Sequence, residues 1–416
     1  MEIVFAVAHA RVVGLDVHQA QVTACLRQTR PGKPPNVQTQ VFSTLPEGLA
    51  ALRVWVAKHK VTHVAMEGTG VYWMPVFNAL EAASVDLTLC NAHHIKNVPG
   101  RKTDQSDAAW IAQLLASGLL KKSFVPPRSI RELRELTRAR VHHTENRSRT
   151  INTLHRLLER EGLKLCSVVS DLHGTTSLAI LRALARGERD VDALAALARG
   201  TLRTKRDALR AVLAVSLSAN SVALLRQHLA SVTLIDEQLA ELDALLAEQT
   251  KPFQVHMDAL RSIGGIEAVS AAAIVAELGA DPSAFADAHH AAAWAGLAPG
   301  QRESAGKRKR TGAREGNSYL KRILVQVAMC LSRTKKHDLG EWFRGKQFKL
   351  GFKKAAVATA HKLLVRLWTL WTKGEQYCPP PPRRLTEQQT RRSVDRSVKK
   401  LEALGYRVEL QPLTAA

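Results

Sequence analysis

Four carboxylates in the N-terminal part of the chain have the type and setting for phosphate chemistry. Asp104 and Asp107 stand three apart in RKTDQSDAAWIA (101–112), where a basic lead, Arg101 and Lys102, runs into an apolar helical pattern. Aspartates at that spacing in a helix's first turn share one face. The plain alternative is structural, with Asp104 as an N-cap and Asp107 as a first-turn acid favoured by the helix dipole. Upstream, Asp16 and Glu67 each interrupt an otherwise apolar, strand-like run, RVVGLDV and THVAMEG. A carboxylate in a buried strand is costly unless it is paired or bound to a metal. Brought together, four carboxylates can hold two divalent cations about 4 Å apart on either side of a phosphate. Hard oxygen ligands favour Mg2+ or Mn2+.

A serine stands at a second chemical centre. WAGLAPGQRESAGKRKRTGAREGNSYLKRIL (294–324) surrounds Ser304 with Arg302, Lys307, Arg308, Lys309, Arg310, Arg314, Lys321 and Arg322. The segment is punctuated by glycine, and Gly316–Asn317 leads into an amphipathic helix built on Leu320, Ile323, Leu324 and Val327. Two readings stand side by side. Ser304 is a nucleophile activated by metal and basic neighbours, or the segment is a basic loop that only binds phosphate.

The elements around the acids set where they can meet. Residues 11–28 read as two strands joined by a tight turn, VQTQVFST as a third strand, and 47–58 as a short amphipathic helix. THVAMEG is a fourth strand ending on Glu67, VYWMPVFNALEAA a helix, and VDLTLCN a fifth strand before the Asp104/Asp107 helix. Three strands, helix, strand, helix, strand, helix is the order of an α/β ribonuclease-H-like fold. In that fold, acids from the first strand, the fourth strand and a late helix meet at one edge of the sheet.

The 416 residues carry a formal net charge of +23, with a pI near 10.2. A charge that large points to a polyanion, and nucleic acid is the default. Hydrophobic residues at 45% exclude a disordered chain. No apolar run approaches the roughly 20 residues of a membrane span. MEIVFAVAHA lacks a basic leader and reads as a strand rather than a signal peptide. Five scattered cysteines show no paired metal spacing, so a reducing cytoplasm is expected, with the nucleoid as the place of action.

Four regions follow: 1–125 holds the acids, 126–250 is a helical and coiled-coil insert, 251–378 holds the serine, and 379–416 is a Pro linker with a basic tail. Residues 126–163 form a long arginine-rich helix, either a solvated face or a phosphate-tracking one. Residues 167–218 are Ala/Leu-rich helices broken at Gly174, Gly187 and Gly200. From Val232, through Ile235, Leu239 and Leu242 to Leu246, steps of 3, 4, 3, 4 make a heptad seam. That seam suits an antiparallel coiled coil or a dimer contact. DALRSIGGIEAVSAAAIVAELG (258–279) resembles a helix–hairpin–helix, with Glu267 where a further glycine is usual. Trp342, Phe343, Phe348, Phe352, Trp368 and Trp371 read as core aromatics rather than base-stacking platforms. The tail after CPPPP (378–382) reads as a mobile nucleic-acid-binding arm.

GLDVH, MEGTGVYW, RKTDQSDA, SIGGI, WAGLAP, ESAGKRKRTG and GNSYLKR together make the chain similar to DEDD-type insertion-sequence transposases, the family of insertion sequence one hundred and ten and its relatives. The likeness runs over nearly the whole chain, and the long middle and LGYRVEL ending resemble the branch with the longer insert. It implies a Holliday-junction-resolvase-like (RuvC-like) N-terminal domain with catalytic, metal-binding acids at Asp16, Glu67, Asp104 and Asp107. It also implies a mostly α C-terminal transposase domain whose Ser304 attacks DNA. A structured guide RNA pairing with donor and target DNA is implied as partner. So are dimers and tetramers in which acids and serine from different subunits meet. The expectation is a DNA recombinase that excises and inserts a mobile element. Its rivals are a metal-only junction-resolving nuclease with a structural Ser304, and a non-catalytic nucleic-acid-binding protein.

Overall fold

In a computed structural model, the described residues are 7–68, 70–92, 95, 106–300, 303–304, 307–308, 312, 316–334, 337–378 and 387–411. The chain divides into two compact units, residues 1–126 and 127–416. The division falls between Pro126 and Pro127.

Unit one is a mixed five-stranded sheet. Its strands are β1 (Arg11–Val17), β2 (Gln21–Gln28), β3 (Asn36–Ser43), β4 (His63–Glu67) and β5 (Asp86–Cys90). The helices are α1 (Pro46–Lys58), α2 (Trp73–Glu81) and α3 (Asp107–Ala116). The spatial order is β3-β2-β1-β4-β5. β1, β2 and β3 form an antiparallel meander, while β4 and β5 run parallel to β1. Each parallel connection needs a crossover, and α1 and α2 lie in those crossovers. The arrangement is consistent with the ribonuclease-H-like expectation.

Side-chain alternation divides the core by face. Val13, Leu15, Val64, Met66, Leu87 and Leu89 pack with Leu52 and Val56 of α1 and Val76 and Leu80 of α2. Val12, Ala65 and Cys90 face the other way, against Ala108, Trp110, Ile111 and Ala112 of α3.

Unit two is helical. The two long helices α4 (Arg128–Arg160) and α8 (Ala219–Gln249) pack against each other. Arg140 pairs with Asp243 and Arg147 with Asp236, so partners descend along α8 as α4 ascends, which makes the pair antiparallel. An intrachain antiparallel pair is one of the two settings that the heptad seam suits. At its far end α5 (Thr175–Arg186), α6 (Val191–Ala196) and α7 (Arg206–Leu213) close a core around Leu154, Leu158, Ile180, Leu184, Leu209 and Leu225. Gly187 ends α5 in the left-handed conformation at φ 98°, a conformation that favours glycine.

At the other end, α9 (Gln254–Arg261) and α10 (Ala268–Leu278) form a helical hairpin turning at Gly264–Gly265. The remaining helices are α11 (Ala288–Trp294), α12 (Ser318–Arg333), α13 (Asp338–Leu350), α14 (Phe352–Lys373) and α15 (Glu387–Ala403). Leu324, Val327, Leu339, Phe343, Leu363 and Leu364 are buried there. The tail is therefore a helix over 387–403, where composition alone reads as a basic arm. Among the described residues no helix is long and apolar enough to cross a membrane.

Candidate active site

β1 and β4 are neighbours running in the same direction, paired from Val12↔His63 to Leu15↔Met66. Asp16 and Glu67 each follow the last paired residue of their strand. They therefore stand side by side at the C-terminal edge, about 4.8 Å apart in backbone position. Alternation puts Asp16 on the face of Val12 and Gly14, and Glu67 on the face of Ala65, which is the face that α3 covers. Glu67 pairs in register with Cys90 on β5. Burial, with the Glu67 charge adding to it, pushes the Cys90 thiol up to about 12, so it stays protonated.

α3 brings the third acid. The Ala116 carbonyl at its C-terminal end accepts hydrogen bonds from the amides of Ala8 and His9, just before β1 begins. The helix thus runs antiparallel to β1, and its N-terminus lies at the end of β1 that carries Asp16. Gly14 makes the close approach possible: a Cβ there would collide with the Ala108 carbonyl oxygen and lie 3.0 Å from Ala112 Cα. Asp107 is the first residue of α3 and is exposed. Its carboxylate suits the positive end of the helix dipole.

The N-cap is Ser106, whose hydroxyl accepts from the Ala109 amide at 3.3 Å. This corrects the alternative that made Asp104 the cap. Asp107 is the first residue of the helix that Ser106 caps. Asp104, Arg101 and Lys102 lie outside the described residues.

His18 joins the acids from the turn after β1, with Nε2 3.2 Å from Asp16 Oδ2. The reading of the sequence missed it, although GLDVH places a titratable ring two residues beyond Asp16. Among the described residues, no three His, Cys, Asp or Glu side chains converge closely enough to enclose an ion. The donor set nonetheless fits a hard divalent cation. Asp16, Glu67 and Asp107 are carboxylates at one end of one face, and the Cys90 thiol beside Glu67 is held neutral.

In unit two, the backbone of Glu303–Ser304 pairs antiparallel with that of Lys307–Arg308, with Ser304 opposite Lys307. Arg302, Lys309, Arg310 and Arg314 lie outside the described residues. Beyond them the chain is anchored firmly. The Asn317 amide donates to the Trp294 carbonyl at 2.9 Å, and Asn317 Oδ1 caps α12 by accepting from the Leu320 amide at 3.0 Å. Asn317 Nδ2 donates to Glu277 Oε2 at 2.6 Å. Glu277 is buried, and both its oxygens also accept from the Arg138 guanidinium, at 2.7 and 2.9 Å. Arg134 lies 3.3 Å away and bonds the carbonyls of Ala276 and Glu277. On α12, Arg322 pairs with Glu145 of α4.

Four arginines of the arginine-rich helix are thus engaged by other helices of the chain. Arg134, Arg138, Arg140 and Arg147 are neither bare solvated charges nor free phosphate ligands, because they bind α8 and α10. At the hairpin, Glu267 is the N-cap of α10 in a reciprocal capping box with Ser270. A carboxylate thus already occupies the amide end that would otherwise take a phosphate. Among the aromatics, Phe343 is buried, but Phe348 is 95% exposed. Lysines 346 and 362 lie over the Trp342 ring.

Residues 13–161 match the family model DEDD_Tnp_IS110, described as a transposase. Residues 257–342 match that of the transposase IS116/IS110/IS902 family. The chain carries the transposase domains of the IS110 family. The first match holds Asp16, Glu67 and Asp107, and the second holds Ser304 and Asn317. The transposase for insertion sequence element IS1111A of Coxiella burnetii is 24% identical over 337 residues, covering 77% of this chain and 81% of that protein. The chain thus carries the domains of a transposase, and DNA is what such an enzyme acts on.

Proposed function

We propose that this IS110-family transposase cuts and rejoins DNA through Ser304, assisted by a metal site on Asp16, Glu67, Asp104 and Asp107. The observation that carries the reading is that Asp16 and Glu67 end adjacent parallel strands side by side, with the helix that begins at Asp107 packed on the same sheet face. Those carboxylates would hold Mg2+ or Mn2+, which neutralises charge on a scissile phosphate and makes a nearby hydroxyl more acidic. His18, beside Asp16, is placed to take a proton from the site.

Ser304 Oγ attacks the phosphorus. The Oγ–P bond forms, the bond to the departing sugar oxygen breaks, and the serine proton ends on the released hydroxyl. The phosphoserine ester conserves the phosphodiester's energy, so attack by a new sugar hydroxyl reverses the step and joins strands without ATP. Arg302, Lys307, Arg308, Lys309, Arg310 and Arg314, with Lys321 on α12, neutralise the phosphates around that serine, whereas Arg322 is already paired with Glu145. The family resemblance supports an element-encoded guide RNA that selects donor and target. It also supports a dimer or tetramer in which acids and serine come from different subunits.

The test is denaturing electrophoresis of labelled element-end DNA after reaction with protein, Mg2+ and RNA transcribed from the element. Wild type should give a covalent protein–DNA band. Ser304→Ala, Glu67→Ala and Asp107→Ala should bind DNA and give none. The same band from Ser304→Ala would remove the serine and favour the metal-only nuclease.

A further inference from the structure

β3 is the outermost strand of the sheet, and it carries a surface independent of the acid site. It pairs with β2 along its whole length, Gln21↔Ser43 to Gln28↔Asn36, without a bulge. Among the described residues no strand lies on its other side. Every residue from Asn36 to Val41 is exposed. Natural edge strands are guarded by lysine, proline or a bulge, because unpaired amides and carbonyls recruit another strand. NVQTQVFST (36–44) has no charged residue and no proline, in a chain whose charged fraction is 23%.

The central run explains what the edge accepts. VQTQV (37–41) is a palindrome about Thr39. Antiparallel pairing of two identical strands about a two-fold axis at Thr39 sets Thr39 on Thr39, Gln38 on Gln40 and Val37 on Val41. Val37 and Val41, on one face, are 46% and 55% exposed in the single chain. Pairing converts them into two cross-strand valine contacts. A one-residue slip would break all of these matches at once.

We propose that β3 pairs with β3 of a second copy of this chain, joining two five-stranded sheets across a two-fold axis at Thr39. The surface is a homotypic interface whether or not Ser304 is the nucleophile.

Register-specific disulfide trapping of the full-length chain tests this. The background carries Cys25→Ala, since Cys25 lies opposite Thr39 within the chain, and serine at the exposed Cys166, Cys330 and Cys378. Directly opposed residues of antiparallel strands have Cα atoms about 4.5–5.5 Å apart, inside the disulfide range. Thr39→Cys should therefore give a covalent dimer on mild oxidation. Val41→Cys alone should not, because its copies stand four residues apart in register, about 13 Å. Val37→Cys with Val41→Cys should restore the dimer. Adding Val37→Lys and Val41→Lys to Thr39→Cys should abolish it while the melting temperature holds. A Thr39→Cys protein that stays monomeric would overturn the proposal, and so would Val41→Cys alone linking as fast as Thr39→Cys.

Discussion

Gly14 of β1 and Ala108 of α3 touch backbone to backbone, with the Ala108 carbonyl oxygen occupying the space a side chain at position 14 would need. Glycine here serves close approach. It lets the helix that begins at Asp107 lie directly on the strand that ends with Asp16 and Val17.

Gly14→Ala should therefore lift α3 from the sheet. Overpacking at a well-packed contact costs about 1–3 kcal/mol. The expected result is a lower urea midpoint and, in protein that remains folded, a larger loss of strand transfer than of DNA binding. Unchanged strand transfer would mean that the contact does not set the position of Asp107.

Glu277 is the fixed point between α4, α10 and the start of α12. Glu277→Ala leaves the Arg138 guanidinium and the Asn317 amide without their acceptor in a buried place. Breaking a buried pair from one side costs about 3–5 kcal/mol. Glu277→Gln keeps an acceptor oxygen for one partner and should cost clearly less. Urea unfolding of the two variants checks the order. Equal losses would show that charge pairing contributes nothing beyond shape.

Acid should expose a second cluster. Asp338 pairs with Arg366 and accepts from the Tyr377 hydroxyl. Burial alone would raise its carboxyl, but Arg366 and Tyr377 outweigh burial and bring it down to about 2. A depressed carboxylate contributes stability above its unfolded value, near 3.9, and loses it as pH falls toward 2. Wild type should lose stability through that window. Arg366→Leu should be less stable at neutral pH and show a flatter decline between pH 4 and 2. Parallel acid limbs in thermal unfolding would refute the assignment. Burial first, and then the Asp338 carboxylate, push the Tyr377 hydroxyl up to about 12.

Local pattern carried much of unit one. Strand alternation, the turns and two crossover helices were legible because each depends on neighbours a few residues apart. Period two in β1 and β4 is what places Asp16 and Glu67 on one face. Local pattern did not reveal Ser106 as the cap, since Asp104 and Ser106 are both capping residues and only backbone geometry chooses between them.

Long-range partners were decided by tertiary structure alone. Arg138 meets Glu277 across 139 residues, Arg140 meets Asp243 across 103, and Arg147 meets Asp236 across 89. An arginine on a helix reads the same in sequence whether it faces water, phosphate or an acid from another helix. Exposure of Phe348 and burial of Phe343 follow from which way α13 is rotated against α14, and aromatic spacing does not encode that rotation. The sequence by itself determined the residue types and their local periods: the acids, the basic serine segment, the palindromic edge and the heptad seam. Only the fold decided which charges cancel inside the protein, because ion pairing depends on distance in space and not along the chain.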